Sequence, residues 1–198
     1  MIRFIVVGHR AHATGDFKLD DITGGAGRLD ILVRCVNSAF FLSHSIRTDV
    51  ELFLILKGGP EAPKTVRFVG KELKYLNPDE RSTSSLIRNA LLKKLSGNEE
   101  VRSSPGVYVS RRSFFDVVDD LRTISSLIYL KEDGTDTAEF VFPEDPTFIL
   151  GDDKDLTPEE EEAVMACGPS KISLGPLSLH ADHCLIVVHN AMDRRRST

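Results

Sequence analysis

Two short stretches near the C-terminus each run into a glycine and then into a loop and a helix. Phe148-Ile149-Leu150 stops at Gly151, and Lys171 to Leu174 stops at Gly175-Pro176. After the first, an acidic loop leads to Thr157, whose hydroxyl suits an N-cap. Pro158 then fits the first helical position, and Glu159 and Glu160 complement the positive helix end. That helix is expected to stop near Gly168. After the second, Leu177 to His180 lead into a final helix over about 181–194. Few folds accept this pattern. Strands that alternate with helices tend to pair in parallel, and the ends of such strands gather at the crevice where ligands bind.

The rest of the chain continues the alternation. Ile2 to Val7 is almost wholly apolar, as in a strand buried on both faces, and Gly8 is expected to end it. Gly24 to Gly27 supply a turn, and Arg28 to Leu42 carries Leu32, Cys35, Val36, Ala39 and Phe40 near one helical stripe. Val50 to Leu56 reads as a second core strand, broken by Gly58-Gly59-Pro60. Thr65 to Val69 and Glu72 to Leu76 flank Gly70 and resemble a hairpin, set off as a small appendage near 64–77. A helix is expected over Ser82 to Leu95, a polar linker over Asn98 to Pro105, and a strand over Val107 to Val109. Phe114 to Leu121 reads as a helix, Leu127 to Leu130 as a strand, and Gly134 to Phe140 as an irregular passage. The sum is a single α/β domain over residues 1–198, with a mostly parallel sheet flanked by helices.

Composition narrows the function. No run approaches the roughly 18 apolar residues of a membrane span, and the first residues lack a signal-peptide pattern, so a cytoplasmic protein without a membrane is expected. Cys35, Cys167 and Cys184 lie far apart without metal-type spacing and are expected to be thiols. A net charge of −5 argues against indiscriminate nucleic-acid binding but leaves room for a local basic patch.

Three long blocks in order carry a family resemblance: RFIVVGHRA with LDDITGGAGRLDILVRCVNSAFFLSH, then LKYLNPDERSTSSLIRNAL, then LGPLSLHADHCLIVVHN. From Ile2 to about Asp193 the chain resembles the archaeal tRNA (pseudouridine-N1)-methyltransferases of the SPOUT superfamily. The resemblance implies a deep trefoil knot in about 127–193 that cradles S-adenosyl-L-methionine. It implies methylation of N1 of pseudouridine at position 54, in the T-arm of tRNA, by a homodimer. Alternatives of other kinds are a methyltransferase for a pseudouridine in ribosomal RNA and a non-catalytic knotted RNA-binding or assembly protein. The intact LGP loop speaks against the last.

The same resemblance places the cofactor at Leu130, Gly151, Leu174, Gly175, Pro176, Leu177, Ser178, Leu179 and Cys184. By themselves these residues read as strand-end turns and core leucines, although leucines can sandwich an adenine and glycines admit a close backbone approach. Gly151 is expected to contact the ligand through its backbone, to adopt a positive φ, or both. Cys184 is either a nucleophile at a helix start or a lining residue; no basic partner is evident, which favours lining. His180, Asp182 and His183 have poor spacing for zinc, so no metal is expected. Glu61 and Asp30 are the candidate catalytic carboxylates for removing the N1 proton. Glu61 reads equally as a solvated loop carboxylate, and Asp30 as a stabiliser of a helix N-terminus. Arg81 and Arg88, seven residues apart on one helix face, are candidate RNA contacts beside the usual reading of a solvated charged face.

Overall fold

In the first strand Phe4 and Val6 pack into one hydrophobic cluster and Ile5 and Val7 into another, all fully buried. A strand with no polar face has to lie centrally, covered on both sides. That is what the computed structural model, which describes residues 1–196, places there. β1 (Ile2–His12) pairs in parallel with β2 (Val50–Gly58) on one side and with β7 (Pro146–Gly151) on the other. β6 (Ser126–Asp136) runs parallel to β7 and to β8 (Ser170–Ser173). On the far side, β3 (Lys64–Val69), β5 (Val107–Ser110) and β4 (Val101–Ser104) extend the sheet in antiparallel fashion. The order is β4-β5-β3-β2-β1-β7-β6-β8.

α1 (Leu29–Phe40), α2 (Glu80–Leu91) and α5 (Ala181–Arg196) cover one face. α3 (Phe114–Leu121) and α4 (Pro158–Ala166) cover the other. The α4 start agrees with its expected signals. Thr157 accepts from the Glu160 amide, the Glu160 carboxylate accepts from the Thr157 amide, and Pro158 opens the first turn. Among the described residues, no helix is long and apolar enough to cross a membrane.

Several boundaries differ from expectation. The hairpin near 64–77 does not form. β3 is built into the main sheet between β2 and β5, and residues 70–72 make a single 3-10 turn. The backbone at Gly70 presses so closely on the Arg47 carbonyl that a Cβ would lie 2.2 Å from its oxygen, so the chain turns away there. The expected linker at 98–105 contains β4, a short polar strand that pairs antiparallel with β5 across Pro105-Gly106, with an irregular register between Arg102 and Ser104. β1 continues past Gly8 to His12, and that extension carries His9 and Arg10 to the functional end of the sheet. α5 continues beyond the expected end near 194 to Arg196, with Arg195 donating to the carbonyls of Thr137 and Phe140.

Candidate cofactor cavity

The parallel strands β6, β7 and β8 end side by side, and a cavity of about 450 Å³ opens there. Its size lies in the range of small-molecule sites. Leu130 enters from β6, Leu150 and Gly151 from β7, and Ser173 from β8. The β8–α5 loop contributes Leu174, Gly175, Leu177, Ser178, Leu179 and His180, and α5 contributes Asp182 and Cys184. Of the nine expected cofactor residues only Pro176 is not part of this wall. Three segments far apart in sequence therefore meet at one crevice, as a parallel sheet requires.

Two of the glycines act differently. Gly175 has φ 129°, a conformation other residues rarely adopt, and its Cβ position is open space. Gly151 does not have a positive φ, contrary to one expectation. A Cβ there would meet the Lys154 carbonyl oxygen at 1.9 Å. Gly151 is thus required because the loop it starts folds back against its own backbone.

The opposite wall was not foreseen. Arg28, Ile31 and Arg34, at the start of α1, face the strand ends. Arg28 precedes the helix in a left-handed conformation, φ 67° and ψ 34°, the one non-glycine positive φ among the described residues. Strain of that kind persists only where surroundings fix it. Here Asp30 does so, accepting from Arg28 Nε at 3.0 Å, from Arg28 Nη2 at 3.2 Å and from Arg34 Nη1 at 2.9 Å. Arg34 Nε also lies 3.7 Å from Asp182 Oδ1, and Arg28 Nη1 lies 3.6 Å from Asp153 Oδ2. Burial alone would raise the Asp30 carboxyl, but the hydrogen bonds from Arg28 and Arg34 hold it below the usual range. A carboxylate so occupied is a poor base and a good orienter. The arginines were legible only as a spacing, Arg28-x-Asp30-x3-Arg34, in which Asp30 and Arg34 form an i, i+4 pair.

Glu61 is not brought to the cavity. Its carboxylate is exposed and pairs with Lys64, whose own ammonium is buried and also donates to the Leu91 carbonyl at 3.0 Å. The bond from Lys64 holds the Glu61 pKa below its ordinary value. Cys184 does line the cavity, but burial, with the Glu132 and Asp182 charges, pushes its thiol up to about 11. At neutral pH it is a thiol, not an activated nucleophile. His180 and His183 stack at 5.2 Å with ring planes 8° apart, and one ligand atom from each of them and from Asp182 lie within 4.8 Å of one another, closer together than their sequence spacing suggested. Arg81 is highly exposed and pairs with Asp20, whereas Arg88 donates to the Gly15 carbonyl at 3.1 Å and helps fix the 13–17 segment.

A family model described as "Putative SAM-dependent RNA methyltransferase" matches residues 1–197. The chain belongs to this family. It is 48% identical over 195 residues to the tRNA (pseudouridine(54)-N(1))-methyltransferase of Methanocella arvoryzae, covering 98% of this chain and 100% of that protein. It is 50% identical to the tRNA (pseudouridine(54)-N(1))-methyltransferase of Haloferax volcanii, over 98% of this chain and 96% of the relative. Among solved structures, Archaeoglobus fulgidus Nep1 bound to S-adenosylhomocysteine shares the fold, with a TM-score of 0.65 at 14% identity over 100% and 98% of the two chains.

Proposed function

We propose that the protein transfers the methyl group of S-adenosyl-L-methionine to N1 of the pseudouridine at position 54 in the T-arm of tRNA. The observation that carries this reading is the convergence of Leu130, Gly151 and the Leu174–Leu179 loop on one cavity in a chain so similar to enzymes of that name. The lining suits the cofactor. Leu130, Leu150, Leu174 and Leu179 offer apolar surfaces to a purine, and the backbone at the strand ends can supply hydrogen bonds to its edges. Asp182 Oδ1 is buried without a hydrogen-bond partner, an acceptor that a bound molecule or water can satisfy. Acidic Glu132 and Asp155 in the wall suit the cationic end of the molecule.

When bound, the cofactor supplies an already activated methyl group, so a covalent enzyme intermediate is unnecessary. The chain's own residues bind and orient. Asp30 fixes Arg28 and Arg34, whose remaining guanidinium donors face the cavity and can hold the carbonyls or phosphate of the target nucleotide. Asp30 acts through them as a positioning residue. The weakly acidic imide proton at N1 passes to water at the cavity mouth once the geometry is set.

The same reading makes the segment over about 127–193 the deep trefoil knot of the SPOUT superfamily and the enzyme a cytoplasmic homodimer. Exposed Leu177 and Leu179 on the β8–α5 loop and Ile186 on α5 support a second subunit there, since a grouping of apolar side chains left at the surface marks a partner's seat. The test is methyl transfer from radiolabelled S-adenosyl-L-methionine to T-arm RNA carrying pseudouridine or uridine at position 54, and to a ribosomal hairpin containing pseudouridine. Label confined to N1 of pseudouridine in the T-arm is expected. Label only in the ribosomal hairpin, or in none, overturns the reading.

A further inference from the structure

Beneath the cavity floor lies a group of buried charges that the reaction does not use. His9, on the extension of β1 beyond Gly8, has a side chain only 10% exposed. Its Nδ1 lies 3.1 Å from Asp152 Oδ1, and its Nε2 lies 3.1 Å from Glu160 Oε2. Its backbone amide donates to Asp152 Oδ2 at 3.1 Å. The Asp152 and Glu160 side chains are each 1% exposed. Asp152 opens the loop that runs from Gly151 toward α4, while Glu160 sits in the first turn of α4 at its far end. Residues 151–155 of that loop are cavity wall.

The chemistry of this arrangement is restrictive. A neutral imidazole has one N–H, so it can donate to only one of the two carboxylates and turns a lone pair on the other. Only the imidazolium donates to both. Lys57 on β2 reaches the second oxygen of Glu160, so two cations meet two buried carboxylates without net charge. The other charged groups alongside, Arg10 and Asp153, pair with each other at the surface.

We propose that His9 is a positioning residue for cofactor binding: as an imidazolium it ties both ends of the 151–160 segment to β1 and so holds the cavity wall in its binding shape. This rests on the cavity's being the cofactor site. The hydrogen bonds to Asp152 and Glu160, working against burial, raise the His9 pKa to about 9. Burial would raise Glu160, but bonds from His9 and Lys57 bring it down to about 2. A group whose folded pKa is raised contributes fully below its unfolded value, near 6.5, and loses its contribution as pH rises through about 9. The tie is therefore intact at neutral pH and released in alkali.

The experiment measures binding of 5′-methylthioadenosine, which carries the adenosine and thioether of the cofactor but no ionising amine, from pH 6.5 to 10. The full-length protein and His9→Gln are compared, with S-adenosylhomocysteine as a second ligand at pH 7. Wild-type affinity is expected to hold to about pH 8 and fall beyond pH 9. His9→Gln is expected to bind about tenfold more weakly at pH 7, the order expected for one lost charge-assisted bond, with a flat profile. Equal affinity at pH 7, or the same alkaline fall in both proteins, overturns the proposal and leaves the cofactor site standing. Failure of the wild type to bind either ligand removes the site and the proposal together. Should His9→Gln not fold, the wild-type ring is read directly by 15N NMR. Two protonated ring nitrogens at pH 7.5 support the tie, and a neutral tautomer overturns it.

Discussion

Replacing Gly151 with alanine is the most discriminating single change at the cavity. The added Cβ would sit 1.9 Å from the Lys154 carbonyl oxygen, 3.0 Å from its carbon and 3.4 Å from the Asp155 carbonyl carbon. The obstacle is backbone, so no rotamer change relieves it. The carbonyl has to retreat by about 1 Å or more, and overpacking of this kind typically costs about 1–3 kcal/mol. Gly151 closes β7, whereas Lys154 lies in a surface turn, so the turn rather than the strand is expected to yield. The cost then appears in whatever needs the turn in place. Converted to affinity, about 1–3 kcal/mol is a factor of roughly 5–150 in Kd. Titration calorimetry with S-adenosylhomocysteine is expected to give a Kd raised within that range. The Tm should fall by less than about 5 °C, because about 1 kcal/mol felt by the whole fold already moves it by about 2–4 °C in a chain of this size. Gly168→Ala is the control. Gly168 has φ 66° and an open Cβ position far from the cavity, so its alanine variant should lower Tm without changing Kd. A folded Gly151→Ala protein whose Kd lies within twofold of wild type would refute the reasoning.

Glu61→Gln is expected to leave single-turnover methylation unchanged from neutral to alkaline pH, because the carboxylate pairs with Lys64 outside the cavity; a rate loss of about 10²-fold or more would reinstate it as the base. Cys184→Ser should retain turnover within a few-fold, since a thiol pushed up to about 11 is no nucleophile at neutral pH; loss of methyl transfer with intact cofactor binding would count against that. Arg81→Ala should lower the salt slope of tRNA binding by about one unit with Tm unchanged. Arg88→Ala should instead lower Tm, through the lost bond to the Gly15 carbonyl, and the opposite assignment would show the two roles reversed.

Much of the cavity was legible because its residues announce themselves locally. Glycines at strand ends, the Thr157-Pro158 start of α4 and the apolar stripe of α1 are properties of a few neighbouring residues. They follow from backbone sterics and helix-end hydrogen bonding, which act over one turn or one strand. The family resemblance then read those ends as cofactor contacts, and the structure brings Leu130, Gly151 and Leu174, Leu177 and Leu179 to one cavity.

What stayed hidden depends on partners remote in sequence. His9 looks like an ordinary histidine after a strand until β1 is set beside β7 and Asp152 and Glu160 arrive from more than 140 positions away. Arg28 and Arg34 read as helix charges until α1 is packed across the strand ends. β3 looked like half of a hairpin because alternation fixes which side chains face the core, not which strand lies alongside. By itself, then, the sequence determined most of the elements, the cap of α4 and the glycines that end β2 and β7. The tertiary structure alone decided which charges meet, because a charge takes its partner and its pKa from neighbours within a few ångströms, and those neighbours are set by packing.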